Sequence, residues 1–344
     1  MKQVFFDGRG EIVVREVEPP VLGENGILSK TAYSVISTGT ETMGIRARRK
    51  NPDPSRPDGH SGYTNSGVVT AVGANVEGLS VGDQVGNYGS PSAFGGHAEV
   101  CHIGKHLAVK LPENVSLKEA AFTGLGGIAM QAVRRSELTF GENVLVMGLG
   151  VLGQIIARIC HAVAYQVMAS DFLEDRLKLA RDADIKAVNA SDDVVAAVVD
   201  ATEGRGADAV LISVATDSAE PITQALKAIR FGGRIVIVGV TKMEVDRSLF
   251  FAKEADFVIS RAAGPGRYDP SYEGEGNDYP YPYVRWTEGR NLREFISLLS
   301  EKRLRVDDLI SHEFPVEQAA DAYEQALDRP QETLGVLLKY STME

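Results

Sequence analysis

Over the first 118 residues the apolar runs are short and cut by glycine, as in Gly67-Val68-Val69-Thr70-Ala71-Val72-Gly73 and Gly82-Asp83-Gln84-Val85-Gly86. That texture predicts a mostly β domain over residues 1–118. From residue 119 apolar strands alternate with longer amphipathic segments, the pattern of βαβ units wound around a parallel sheet. Strands are predicted at 143–147, 166–170, 209–213 and 234–238, with helical stretches at 154–160, 174–181 and 219–229. A run dense in glycine, proline and tyrosine then breaks the alternation at 264–283 and predicts an irregular loop. Helical spacing returns at 292–300 and 316–327, and an apolar strand closes the pattern at 335–340. The expected class is therefore α/β, with a doubly wound parallel sheet over 119–286 beside a mostly β domain.

A chain of 344 residues has room for two such domains. Its 44% apolar and 24% charged residues set aside disorder, collagen and coiled coil. A net charge of -11 argues against nucleic acid as a partner, because phosphate neutralisation needs a basic face. There are two cysteines, Cys101 and Cys160, and neither has a second thiol at metal-ligand spacing, so disulfide frameworks and four-cysteine zinc sites are excluded. The opening Met1-Lys2-Gln3-Val4-Phe5-Phe6-Asp7 lacks a basic lead into a long apolar run, and no uncharged apolar stretch is long enough to span a bilayer. A cytoplasmic protein without membrane partners is expected.

The most specific chemical signal is Gly148-Leu149-Gly150-Val151-Leu152-Gly153, which follows an apolar strand and opens a helix. In that context the first glycine permits a tight turn, the second lets a pyrophosphate approach the backbone, and the third lets helix and strand pack closely. The next strand ends at Asp171, where a carboxylate would accept hydrogen bonds from the adenosine ribose, and this favours NAD over NADP. Arg176 lies a helical turn further on, behind Glu174 and Asp175. Val214, Gly239 and Gly264, together with Val151 and Leu152 of the turn, complete the expected cofactor contacts.

Several segments together resemble the medium-chain dehydrogenase/reductase superfamily of zinc alcohol dehydrogenases and quinone reductases. They include Gly67 to Gly73, Gly95-Gly96-His97-Ala98-Glu99-Val100, the glycine turn, Phe231-Gly232-Gly233-Arg234-Ile235-Val236 and His312-Glu313-Phe314-Pro315-Val316-Glu317. The resemblance implies a GroES-like catalytic domain over 1–118 completed by 287–344, with a Rossmann dinucleotide domain over 119–286 between them. Where zinc-dependent relatives carry Cys-Gly-Ser/Thr-Asp this chain reads Thr38-Gly39-Thr40-Glu41, and where they carry Gly-His-Glu it reads Gly62-Tyr63-Thr64. The third ligand position falls near Thr123-Gly124-Leu125. Hydroxyls and glycine are poor zinc ligands, so no metal is expected. The segment Ser37-Thr38-Gly39-Thr40-Glu41 and the 264–287 loop are similar to a zinc-lacking branch that includes bacteriochlorophyllide dehydrogenases and bi-domain sugar oxidoreductases.

Without zinc, the hydroxyl proton of an alcohol needs a side chain to receive it. By carry-over from the motifs, Thr38, Glu41 and Tyr63 should line the site beside the nicotinamide, with Tyr63 as the proton-transferring group and Glu41 or His60 as its partner. The competing readings are that Tyr63 only packs on the nicotinamide and that Glu41 only pairs with a cation such as Arg46. His97, Arg267, Tyr268, Tyr283, Arg285 and Trp286 are the substrate-binding candidates, since aromatics cover sugar faces and arginine donates to several oxygens. The function expected is NAD-dependent hydride transfer between nicotinamide and a secondary alcohol or ketone of a sugar, sugar acid or cyclitol. A zinc-free quinone or enoyl reductase and a non-catalytic NAD(H)-binding regulatory protein are the alternatives. By resemblance the chain is also expected to form a dimer or tetramer through the edge strand near 256–260.

Overall fold

The computed structural model describes residues 1–89 and 96–341; Gly95, one of the motif residues above, lies outside them. Contacts divide the chain into two compact units, Met1–Gly127 with Pro265–Glu344, and Ile128–Gly264.

The unit from Ile128 to Gly264 is built on a parallel sheet in which Lys186–Asn189, Gln166–Asp171, Asn143–Met147, Ala207–Ile212, Ile229–Ile237 and Asp256–Ile259 lie side by side. Numbered along the chain, the spatial order is 3-2-1-4-5-6, the doubly wound arrangement of dinucleotide-binding domains. Val144, Leu145, Val146, Val210 and Leu211 are almost fully buried, which is why these strands read as continuous apolar runs rather than as alternation. The helices Val151–Ala162, Glu174–Arg181 and Glu220–Ala228 follow their strands as the pattern predicts.

The other unit combines both ends of the chain. The strand Gly26–Ile36 pairs antiparallel with Thr64–Val72, Val100–Gly104 and Gly335–Lys339, so the closing strand becomes an internal member of the N-terminal sheet. A smaller sheet joins Lys2–Phe6 to Ile12–Glu16 and Gly59–His60. Val4, Ile36, Ile45, Tyr323, Val336 and Leu338 share one core cluster, so residues more than 280 positions apart pack together.

Two features depart from the sequence reading. The helix Thr40–Lys50 stands inside a region that reads as β. Ile45 is the one apolar residue it buries, beside Glu41 and Thr42, so its amphipathic signal is weak. The unit boundaries also fall at 127/128 and 264/265 instead of 118/119 and 286/287. Residues 265–286 pack on the mostly β unit: Arg267 Nη2 donates to the Gly89 carbonyl (3.2 Å), His106 Nε2 lies 2.9 Å from the Gly276 carbonyl, and the His106 and Tyr272 rings stack at 4.5 Å. Composition marks that stretch as a loop but carries no information about which unit will hold it.

Candidate functional site

At the glycine turn each glycine has a separate physical requirement. Gly148 has φ +87°, a left-handed conformation that side chains other than glycine's rarely adopt. A Cβ on Gly153 would lie 1.8 Å from the Gly148 carbonyl oxygen, so the helix approaches the strand only because that side chain is absent. A Cβ on Gly150 would meet nothing within 4 Å, which leaves bare backbone at the N-terminus of Val151–Ala162. Free helix N–H groups beside exposed backbone suit a pyrophosphate. Val214 packs against this turn, since a Cβ on Gly148 would lie 2.5 Å from its Cγ1, and Gly239 in turn lies against the Val214 carbonyl.

Asp171 ends the second strand with one carboxylate oxygen accepting from the Leu149 N–H (2.7 Å) and the other from the Leu173 N–H (3.0 Å). Arg176 Nη1 lies 3.6 Å from the same carboxylate, closer than its place one turn into the helix implied. Gly264 has φ +103° and closes the unit. The residues thus fit a dinucleotide at the carboxyl ends of the strands, where the strand order reverses. A separate cavity of about 400 Å³ opens at the opposite, amino ends, near Asn143, Gln166, Lys186 and Ala207.

In the mostly β unit the carboxylate of Glu41 is the centre of a buried network. It accepts from the Ser37 N–H (2.7 Å), the Gly62 N–H (2.9 Å), His97 Nε2 (3.2 Å) and the Tyr323 hydroxyl. His97 Nδ1 contacts Ser34 Oγ at 2.7 Å, and Ser34 Oγ lies 3.1 Å from the Tyr340 hydroxyl. Burial raises the Glu41 pKa, but the charge and hydrogen bond of His97, with the bonds from Tyr323 and Ser37, outweigh it and hold the carboxyl below its ordinary range. By accepting from Ser37 and Gly62 at once, Glu41 ties together the two chain stretches that carry Thr38 and Tyr63. Gly62 has φ +79°, and a Cβ there would lie 2.6 Å from the His97 ring, so the network also explains this glycine.

The geometry revises several candidate roles. His97 is fully buried and both its ring nitrogens are engaged, so it braces Glu41 rather than meeting a substrate. Glu41 pairs with His97 and not with Arg46, whose guanidinium donates to the Leu327 carbonyl. His60 is exposed on the small sheet, facing Gln3 and the Phe5 ring, which removes it as a partner of Tyr63. Thr38 is half-buried, and its carbonyl accepts from Thr42 Oγ1. Tyr63 is half-buried, with its ring edge-on to Tyr88 at 5.7 Å and its hydroxyl bonded to the Ser37 and Thr40 side chains. Burial is the largest influence on it and keeps its phenol well above the ordinary tyrosine range.

The loop candidates separate into two groups. Tyr268, Tyr283 and Arg285 are exposed and Trp286 is half-buried, whereas Arg267 is only 4% exposed. The Arg267 guanidinium lies 4.1 Å from the Tyr88 ring centroid, and its Nη1 donates to Glu273 Oε1 at 3.2 Å. Beside it is Glu288, the first residue of the helix Glu288–Ser300 and fully buried. Among the described residues neither Glu288 carboxyl oxygen has a hydrogen-bond partner. Burial pushes the Glu288 pKa up to about 8, against the opposing charge of Arg267. The sequence reading missed Glu288, Tyr88, Ser34, Tyr323 and Tyr340. No local motif distinguishes them, because each reaches its partners through tertiary packing.

For a metal, the stretches that the resemblance sets in place of zinc ligands offer the hydroxyls of Thr38 and Tyr63 and, in Thr123-Gly124-Leu125, that of Thr123, whose Oγ1 already donates to the Ala120 carbonyl (2.6 Å). This donor set does not fit zinc, which takes thiolate, imidazole or carboxylate. Among the described residues no three His, Cys, Asp or Glu side chains gather at a spacing that could hold a metal, and no helix is long and apolar enough to cross a membrane.

Residues 151–271 match the family model described as zinc-binding dehydrogenase. A 2-dehydro-3-deoxy-L-galactonate 5-dehydrogenase of Pseudoalteromonas atlantica is 30% identical over 242 residues, spanning 62% of this chain and 70% of that one. The sorbitol dehydrogenase of Mus musculus is 27% identical over 349 residues, 93% of this chain and 90% of the other. The fold matches that of an alcohol dehydrogenase from Thermus sp. ATN1 with a TM-score of 0.80, at 24% identity and over 99% of this chain and 100% of that one. With its doubly wound sheet, its glycine turn and a mostly β unit completed by the C-terminal strands, the chain belongs to the zinc alcohol dehydrogenase-like part of the medium-chain dehydrogenase/reductase superfamily, a family of oxidoreductases.

Proposed function

We propose that this protein is an NAD-dependent dehydrogenase that moves hydride between nicotinamide and a secondary alcohol or ketone of a polyol-like substrate, a sugar, sugar acid or cyclitol, without zinc. The observation that carries the reading is the site around Tyr63: Thr38 and Tyr63 stand where the resemblance puts two zinc ligands, and Glu41 holds the two stretches that bear them in one geometry. The cofactor, when bound, would supply the hydride donor for ketone reduction and the hydride acceptor for alcohol oxidation. Tyr63 gives its phenolic proton to the ketone oxygen, or takes the alcohol proton in the reverse direction, while Ser37 and Thr40 orient it. Glu41, His97 and Tyr323 position and do not react. The names of the sugar-acid and polyol dehydrogenases among the relatives support the substrate class. In the assay, NAD with a polyol panel should yield NADH absorbance that survives chelation; activity abolished by a chelator and restored by zinc would overturn the metal-free reading.

The preference for NAD rests on Asp171. Asp171→Ala should weaken NADH binding roughly 10-fold or more, because it removes both a ribose acceptor and the partner of the Leu149 N–H. It should also narrow the discrimination against NADPH, as read by parallel fluorescence titrations. Equal NADH and NADPH affinities in the unmodified protein would refute the assignment.

We also propose that two copies pair through the edge strand Asp256–Ile259, near which Phe251 and Ile259 are exposed. Ile259→Lys places a charge on that edge and should lower the sedimentation mass to that of a monomer. An unchanged oligomer would place the contact elsewhere.

A further inference from the structure

Arg267 reaches Tyr63 by two routes, both inside the mostly β unit. Its Nη2 donates to the Gly89 carbonyl (3.2 Å), and the Gly89 N–H donates to the Tyr63 carbonyl (2.8 Å). Its guanidinium also lies over the Tyr88 ring, and Tyr88 meets Tyr63 edge-to-face. Glu273 anchors the cation from the other side and accepts the Tyr268 N–H at 2.9 Å. Arg267 Nη1 is 3.8 Å from Glu288 Oε2, yet among the described residues Arg267 Nε and both Glu288 oxygens have no hydrogen-bond partner. A buried pair left in this state is costly as packing alone and points to a functional use of its charge.

We propose that Arg267 and Glu288 are positioning residues for proton transfer at Tyr63, with Arg267 supplying the positive charge against which the phenolate forms and Glu288 acting as the switch that leaves or cancels that charge. The inference rests on Tyr63 as the proton-transferring group. As a neutral acid Glu288 leaves the Arg267 charge acting on the two tyrosines. Ionised, it adds a negative charge beside them and opposes phenolate formation. The titratable and charged groups facing it are Arg267, Glu273, Tyr88, Tyr272 and Tyr279. Burial places its titration at about pH 8, so the switch operates on the alkaline side of neutrality.

The test measures ketone reduction by NADH against pH, using the keto forms of the polyols that the protein oxidises, in the wild type and in Glu288→Gln, Arg267→Met, Arg267→Lys and Tyr63→Phe. In the wild type kcat should fall as pH rises through about 8, and in Glu288→Gln that limb should disappear. Arg267→Met should lower kcat by roughly 10- to 100-fold with KM little changed, and Arg267→Lys should recover part of the loss. Independently of turnover, infrared difference spectra at pH 7 should contain the carbonyl stretch of a protonated carboxyl that is missing in Glu288→Gln. An alkaline limb retained in Glu288→Gln, or no such stretch, overturns the proposal even if Arg267→Met fails to fold. A nearly inactive Tyr63→Phe combined with an unmoved limb overturns the proposal alone. A fully active Tyr63→Phe overturns it together with the reading on which it rests.

Discussion

Replacing Glu288 by glutamine is expected to stabilise the protein at alkaline pH and to do little at pH 5. The carboxyl is fully buried with no hydrogen-bond partner among the described residues, and its pKa rises from 4.5 in the unfolded chain to about 8. Between those two values the native state holds a proton that the unfolded chain has released, so stability falls as pH rises through that window and is lowest above it. The displacement corresponds to an upper figure of about 4–5 kcal/mol. Glutamine has no proton to hold, so the difference in melting temperature between the two chains should open by roughly 5–10 °C between pH 5 and pH 9. Calorimetry over that range is the measurement. Parallel curves for the two chains would mean that Glu288 is ionised throughout and satisfied by contacts not seen in this conformation.

The second large effect concerns activity. Tyr63→Phe keeps the ring that packs on Tyr88 and removes only the hydroxyl, so NADH affinity and folding should stay within about twofold of the wild type. If Tyr63 transfers the proton, kcat should fall by roughly 10²- to 10⁴-fold, the usual contribution of a positioned acid–base group. Full activity in Tyr63→Phe would leave Tyr63 as an aromatic wall and return proton transfer to solvent, as in the quinone and enoyl reductase alternative. The contrast with Glu41→Gln separates reacting from positioning: losing the charge that pairs with His97 should loosen the Ser37 and Gly62 segments and lower thermal stability together with activity.

How much was legible in the sequence follows from the range over which each feature is determined. The strands Asn143–Met147 and Gln166–Asp171 and the helix Glu174–Arg181 were readable because a run buried on both faces and a helical apolar stripe are local patterns. The glycine turn was readable for the same reason: φ at Gly148 and the close approach at Gly153 are set within six residues. The helix Thr40–Lys50 was not, because what holds it is remote: Arg49 pairs with Glu324, and Glu41 meets Tyr323.

The sequence by itself determined the fold class, the glycine turn Gly148 to Gly153 with Asp171 at the end of the next strand, and the hydroxyl residues Thr38 and Tyr63 in the motifs that carry the family resemblance. All of these depend on residue type at short spacing. Only the tertiary structure decided that His97 and Glu41 form a buried brace and that His60 faces elsewhere. It also decided that 265–286 folds onto the mostly β unit and that Arg267 and Glu288 meet behind Tyr88. The physical reason is that a buried charge is defined by its surroundings: whether a carboxylate is braced, paired or left with its proton depends on which distant side chains exclude water from it, and no local pattern records that.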